Sequence, residues 1–399
     1  MKNWSSILGS IFIVLFTVIS CKKTPNTVTN IPGKEVFVSV TSVGNYSAVQ
    51  LQTFASSKGY SALLPLIKYD VSFYKLIYKT TYKGKQINAS GLLAIPKNTP
   101  FIPALVSAQH GTIFTDADAP SNFPNAGTGY ELLASAGFAT IIPDYLGYGS
   151  SKSVVHPYYD IQYSGTAVVD MIRAAKYYLS IGKAINNKLF LIGYSEGGYV
   201  TMAAQKAIES GTTANLSLTA AAEGAGGYDL SVILAGLSTL KTYPDPSFLT
   251  LILNAYNTTY GWNRPLTDFF NQPYATNISQ LLDGTHTYSQ IIAGLSPSPS
   301  TLFNPVFYSN VLSPTGEATF KAALAANSFP NWYPKGPTRL YHGTADALVS
   351  YQTSQLIYNR FVASGSTNLT LIPITGGTHE TTAAAMTLDA VQWFQTMSN

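Results

Sequence analysis

Apolar and polar residues alternate along two neighbouring stretches, Val71–Tyr82 and Gln86–Pro96, with Lys83, Gly84 and Lys85 between them. A period of two predicts half-buried strands, here joined by a turn, and these two open the folded part. Three later runs, Phe101–Gly111, Phe138–Gly149 and Lys188–Ser195, are more continuously apolar and predict strands buried on both faces. Between them the spacing becomes helical, at Gly127–Gly137 and again at Thr166–Ser180. A helix is expected after Ser195 to about Ser210, then a strand over Leu216–Gly226. Short apolar strands alternating with amphipathic helices predict an α/β fold, a mostly parallel sheet flanked by helices.

The alternation breaks from about Tyr228 to Tyr333, where helical pieces mix with many Pro, Asn, Ser and Tyr residues. It resumes with a strand at Pro337–Asp346, a helix near Tyr351–Ala363, a strand at Leu369–Gly377 and a last helix to about Met397. So long an interruption exceeds a loop and is read as a cap, or lid, insertion. Within it Ser247–Tyr256 is strongly apolar, which suits a membrane-contacting lid, an acyl-binding wall or a core helix of the cap equally. The predicted organisation is a core in two parts, 36–227 and 334–399, with the cap at 228–333.

The N-terminus follows another pattern. Lys2 precedes an apolar run from Ile7 to Ile19, shorter than the about 20 residues of a membrane span and laid out like a signal peptide over residues 1–20. Cys21, the sole cysteine, comes next. It has no partner for an internal disulfide. Val18-Ile19-Ser20-Cys21 resembles a bacterial lipobox, which implies lipidation of Cys21, a polar tether over 21–35 and a membrane-anchored protein of the cell envelope or surface. The rest of the composition agrees with export. Charges are sparse, tyrosines number 27, and the net charge is only +4 with no basic cluster, which argues against nucleic acid as a partner.

The chemistry centres on Gly193-Tyr194-Ser195-Glu196-Gly197, a G-x-S-x-G pattern between a predicted strand and a predicted helix. That context is a nucleophile elbow: flanking glycines let strand and helix approach closely, and the turn exposes the serine hydroxyl. A serine needs a base, and the base needs an acid. Enzymes built on such an elbow order these as Ser, acid, His along the chain. Of five histidines, only His379 follows the last strand; His110 precedes the serine, and His156, His286 and His342 fall in a loop, in the cap and at a strand end. Asp346 follows the preceding strand, with Glu223 and Asp229 as rival acids. The oxyanion needs two backbone donors. The N–H of Glu196 is one, and Gly111 or Thr112 in Gln109–Thr112 supplies the other, with His110 bracing that loop. Asp116 and Asp118 lack the further ligands of a calcium loop and are read as solvated.

With Pro143–Ser151, Gly193–Gly198, His342–Asp346 and His379, the chain resembles the α/β-hydrolase superfamily, and within it the secretory-lipase family. The resemblance implies a serine lipase or esterase that needs no cofactor and no metal and acts on a lipid or small-molecule ester. A serine peptidase on the same fold and a feruloyl or acetyl esterase acting on carbohydrate remain alternatives. A non-catalytic binding lipoprotein is disfavoured, because the three candidate triad residues are all present in order.

Overall fold

The computed structural model describes Met1 and residues 32–182, 185–211, 216–239, 242–243 and 245–398. The leader beyond Met1, Cys21 and the tether up to residue 31 lie outside the described residues.

Nine strands form one sheet: β1 (Phe37–Tyr46), β2 (Val71–Tyr82), β3 (Lys85–Pro96), β4 (Leu105–Gln109), β5 (Ala139–Pro143), β6 (Leu189–Tyr194), β7 (Ala220–Gly224), β8 (Thr338–Gly343) and β9 (Leu369–Ile374). Their order is β1-β2-β3-β5-β4-β6-β7-β8-β9. The pairs from β1 to β5 are antiparallel, and those from β5 to β9 are parallel. Lys83 and Gly84, at φ 49° and 72°, make a two-residue hairpin turn that pairs Tyr82 with Lys85.

The helices are α1 (Ala48–Ser57), α2 (Leu132–Ser135), α3 (Ile161–Gly182), α4 (Glu196–Glu209), α5 (Ser231–Thr239), α6 (Pro246–Thr259), α7 (Tyr274–Leu281), α8 (Tyr288–Ala293), α9 (Pro299–Leu302), α10 (Pro305–Leu312), α11 (Ala318–Ala326), α12 (Tyr351–Ala363) and α13 (His379–Met397). Two cores follow from the alternation along the strands. Leu189 and Leu191 of β6 pack with α3, α4 and α6 on one face, and Phe190 and Ile192 pack with α1 and α13 on the other.

Two expectations change. The folded part opens not at β2 but at β1 and α1; among the described residues β1 is an edge strand paired with β2 alone, and it carries mostly half-buried residues, so its apolar signal is weak. The helix expected over Gly127–Gly137 shrinks to the four residues of α2. Buried Glu131 turns back to accept from the Thr128 N–H at 3.0 Å, which holds the preceding residues as a turn.

Between β7 and β8 the described residues hold α5 to α11 and no named strand. The apolar Ser247–Tyr256 segment lies in α6 with Leu249, Leu253 and Tyr256 fully buried. Pulling such side chains into water costs about 1.5–3 kcal/mol each, so in this conformation α6 is a core helix and not a membrane-facing one. Tyr256 also ties the segment to the sheet domain, donating from its hydroxyl to the Tyr159 carbonyl at 2.8 Å.

Candidate active site

Ser195, Asp346 and His379 come from three different connections, each leaving the C-terminal end of a parallel strand, β6, β8 and β9. Such strand ends are where open parallel sheets place their ligands. Ser195 has φ 61° and ψ −125°, a conformation L residues rarely adopt, which costs on the order of 1–3 kcal/mol. The surroundings impose it. The Ser195 N–H donates to the Gly224 carbonyl at 2.9 Å. A Cβ on Gly193 would strike the Gly197 carbonyl and Thr201, one on Gly197 the Gln109 carbonyl, and one on Gly198 the Gly224 carbonyl. These glycines let strand and helix close around the serine.

The imidazole of His379, the first residue of α13, lies between the other two side chains. Its Nε2 is 2.9 Å from Ser195 Oγ, and its Nδ1 is 2.7 Å from Asp346 Oδ2. A carboxylate only accepts, so Nδ1 carries the hydrogen and Nε2 is free to accept the serine proton. The Asp346 side chain is fully buried. Its Oδ1 accepts from the Leu348 and Val349 N–H groups, both at 2.9 Å. Burial pushes this carboxyl up, but hydrogen bonds from His342 and His379 and the histidine charge outweigh it and hold it well below the usual carboxylate range.

The Glu196 N–H begins α4, directly after Ser195. Gly111 faces it: a Cβ there would lie 3.7 Å from Ser195 Cβ. Thr112 Oγ1 is 2.9 Å from the Tyr158 hydroxyl. His110 is buried and stacked on Tyr145 with centroids 4.1 Å apart, and burial lowers its pKa. Its carbonyl accepts from the Tyr145 hydroxyl at 2.8 Å, so His110 is part of the loop's scaffold. The rival acids have other surroundings. Glu223 is buried inside β7 with neither oxygen hydrogen-bonded, and Asp229 accepts from Ser231 and faces Arg360.

Residues 128–398 match the secretory-lipase family. The chain belongs to that family. It is a carboxylic-ester hydrolase with an α/β-hydrolase fold. Among solved structures it is similar to a candidate hydrolase of Legionella pneumophila, at 25% identity and a TM-score of 0.82 over 91% of this chain and 98% of that one. It is also similar to the rice cell wall degrading esterase LipA of Xanthomonas oryzae, at 25% identity and a TM-score of 0.77 over 92% and 100% of the two chains. Candida antarctica lipase A in its closed state shares the fold, at 18% identity and a TM-score of 0.67 over 93% and 84%. No curated protein matches the sequence.

The site of this secretory-lipase family member includes two histidines that sequence reasoning passed over. His342, fully buried, has Nε2 2.8 Å from the Val349 carbonyl and 3.4 Å from Asp346 Oδ2, while Nδ1 is 2.7 Å from Ser354 Oγ. With hydrogen on Nε2, that one tautomer satisfies every partner and adds a donor to Asp346. Its position four residues before Asp346 was the available signal. His156 meets Glu196, 40 residues away, at 2.7 Å, and no local pattern announces it.

Asp116 and Asp118 are spent on protein partners. Asp116 accepts from the Gly149 N–H at 2.6 Å and faces Lys152, and Asp118 accepts from Thr115 Oγ1 at 2.6 Å. Among the described residues no group of three or more His, Cys, Asp or Glu side chains is arranged to hold a metal. A cavity of about 480 Å³ lies beside Asp346, lined by Tyr158, Tyr159, Val232, Tyr243, Phe248, Ile252 and Leu348. Another, of about 330 Å³, is lined by Gly111, Tyr194, Glu380, Tyr60 and Leu63.

Proposed function

We propose that the enzyme cleaves esters through an acyl-enzyme formed on Ser195, with His379 as base and Asp346 as its orienting acid. The observation that carries this reading is the hydrogen-bonded line from Ser195 Oγ through both nitrogens of His379 to Asp346. Ser195 Oγ attacks the ester carbonyl while its proton passes to His379 Nε2. The carbonyl oxygen takes up the electron pair and becomes an oxyanion, held by the N–H of Glu196 and that of Gly111 or Thr112. The pair returns, the carbon–oxygen bond to the alcohol breaks, and Nε2 hands its proton to the leaving oxygen. Water then repeats the sequence: it gives a proton to Nε2 and its oxygen to the acyl carbon, the bond to Ser195 Oγ breaks, Nε2 returns the proton to Oγ, and the acid leaves. Asp346, held ionised, stabilises the imidazolium in both halves.

Residues 228–333 act as a cap over this site, between core parts 36–227 and 334–399. The largely aliphatic and aromatic lining of the cavity beside Asp346 suits an acyl chain or an aromatic acyl group. A peptidase would want a free charged anchor for a peptide terminus; Asp229, the other acid in that wall, is already paired with Arg360. Likeness to the cell wall degrading esterase favours a second reading, an ester carried on polysaccharide. The leader and Cys21 support export and lipid anchoring in the envelope.

Hydrolysis of p-nitrophenyl esters from acetate to palmitate, with Ser195→Ala alongside, tests the reading. Activity should fall by about 10³-fold or more in the variant. A folded wild-type enzyme that cleaves none of the series would sink it, and the chain-length optimum separates esterase from lipase. For the anchor, labelled palmitate should be retained by the wild type and lost in Cys21→Ser; equal labelling would remove Cys21 from that role.

A further inference from the structure

The acid that follows the nucleophile is buried and paired. Glu196 is only 2% exposed, and its Oε1 lies 2.7 Å from Nε2 of His156. His156 Nδ1 is 2.7 Å from the Leu146 carbonyl. A carbonyl only accepts, so Nδ1 carries a hydrogen. Nε2 and Glu196 then share one proton, as imidazolium and carboxylate or as imidazole and carboxylic acid. Either way the pair is neutral overall and the contacting atoms are satisfied. The side chain of the residue whose N–H begins α4 is therefore fixed to the loop that carries His156.

The same imidazole is ringed by tyrosines that hold the opposite loop. The rings of Tyr145, Tyr148 and Tyr158 have centroids 6.0, 5.2 and 5.7 Å from that of His156. The Tyr145 hydroxyl donates to the His110 carbonyl at 2.8 Å, and that of Tyr148 to the Ile113 carbonyl at 2.5 Å. The Tyr158 hydroxyl is 2.9 Å from Thr112 Oγ1. In a trans peptide the His110 carbonyl and the Gly111 N–H point in opposite directions, so clamping one aims the other. The chain makes room for the histidine at Gly147, whose φ is +95°; a Cβ there would lie 2.7 Å from the His156 backbone nitrogen.

We propose that His156 is a positioning residue for the ester hydrolysis: through Glu196 and its tyrosine cage it keeps the N–H of Glu196 and that of Gly111 or Thr112 in register around the oxyanion. The inference rests on the Ser195–His379–Asp346 reading. Misregistered donors weaken transition-state binding and leave ground-state binding alone, so the signature is a loss in kcat at constant KM.

The test measures kcat and KM on a p-nitrophenyl ester for wild type, His156→Phe, and His156→Phe combined with Glu196→Gln, with thermal melts as a folding control. His156→Phe keeps an aromatic ring in the cage but strands a buried carboxyl. Its kcat should fall about tenfold to a hundredfold, less than losing an oxyanion donor outright, with KM within about threefold. Adding Glu196→Gln should recover part of that loss, because no ionisable group is then buried without its partner. If His156→Phe does not fold, His156→Gln, whose amide can still donate to Glu196, serves in its place, and a smaller loss confined to kcat is expected. A kcat within twofold of wild type, or a loss that appears in KM instead, would overturn the inference. An inactive wild-type enzyme would bring down the ester-hydrolase reading and this inference with it. An active wild type with an indifferent His156 variant would bring down the inference alone.

Discussion

At Asp346 burial and hydrogen bonding pull the carboxyl in opposite directions, and hydrogen bonding wins. Its folded pKa is depressed, so the stability it contributes is present above the ordinary value of 3.8 and is lost as the pH falls toward the folded value. The same bonds select the tautomer of His379. In Asp346→Asn the amide can donate to Nδ1, which moves the hydrogen to Nε2 and blocks acceptance from Ser195. We expect kcat to fall by about 10³–10⁴-fold with little change in KM; a variant retaining a tenth of wild-type kcat would remove Asp346 from the proposed triad. The three residues of this line were legible because each follows a strand in a fixed chain order. His156 was not, because its partner Glu196 is met only when two distant connections fold against each other.

Elements set the tolerance of that line. His379 owes its place to the start of α13, where Thr378 makes a capping box: its hydroxyl accepts from the Thr381 N–H, and the Thr381 hydroxyl accepts from the Thr378 N–H at 2.9 Å. Thr378→Ala removes the first of these bonds. It should cost about 1 kcal/mol of stability. It should also lower kcat several-fold while sparing KM, because the first turn carries the proposed base, His379. A melting temperature and kcat both equal to wild type would show that the cap does not hold His379. At this scale β2, α12 and the end of α13 fall where hydrophobic periodicity predicts them. The misses have one cause: β1 and α2 take their conformation from what they dock on, an edge of the sheet in one case and a side-chain-held turn in the other.

Across the whole molecule, buried acids set the response of stability to pH. Burial raises Glu131, Asp144, Asp160, Asp170 and Glu223, and Glu223 alone among them has both oxygens without a hydrogen-bond partner. A raised folded pKa means the native state keeps a proton that the unfolded chain releases. The contribution is whole below the ordinary value of 4.5 and is lost as the pH rises toward the folded value. Glu223→Gln should therefore match wild-type stability near pH 4 and exceed it increasingly as the pH rises from there toward the folded value. Melting curves of both proteins across that range check this, and a constant gap would refute it. By itself the sequence determined the α/β alternation, the strand–turn–helix around Ser195 and the order of Ser195, Asp346 and His379, because periodicity and turn chemistry are local. Only the tertiary structure decided that α6 is a core helix, that His342 backs Asp346 and that His156 meets Glu196, because burial and long-range hydrogen bonds exist only once distant segments pack.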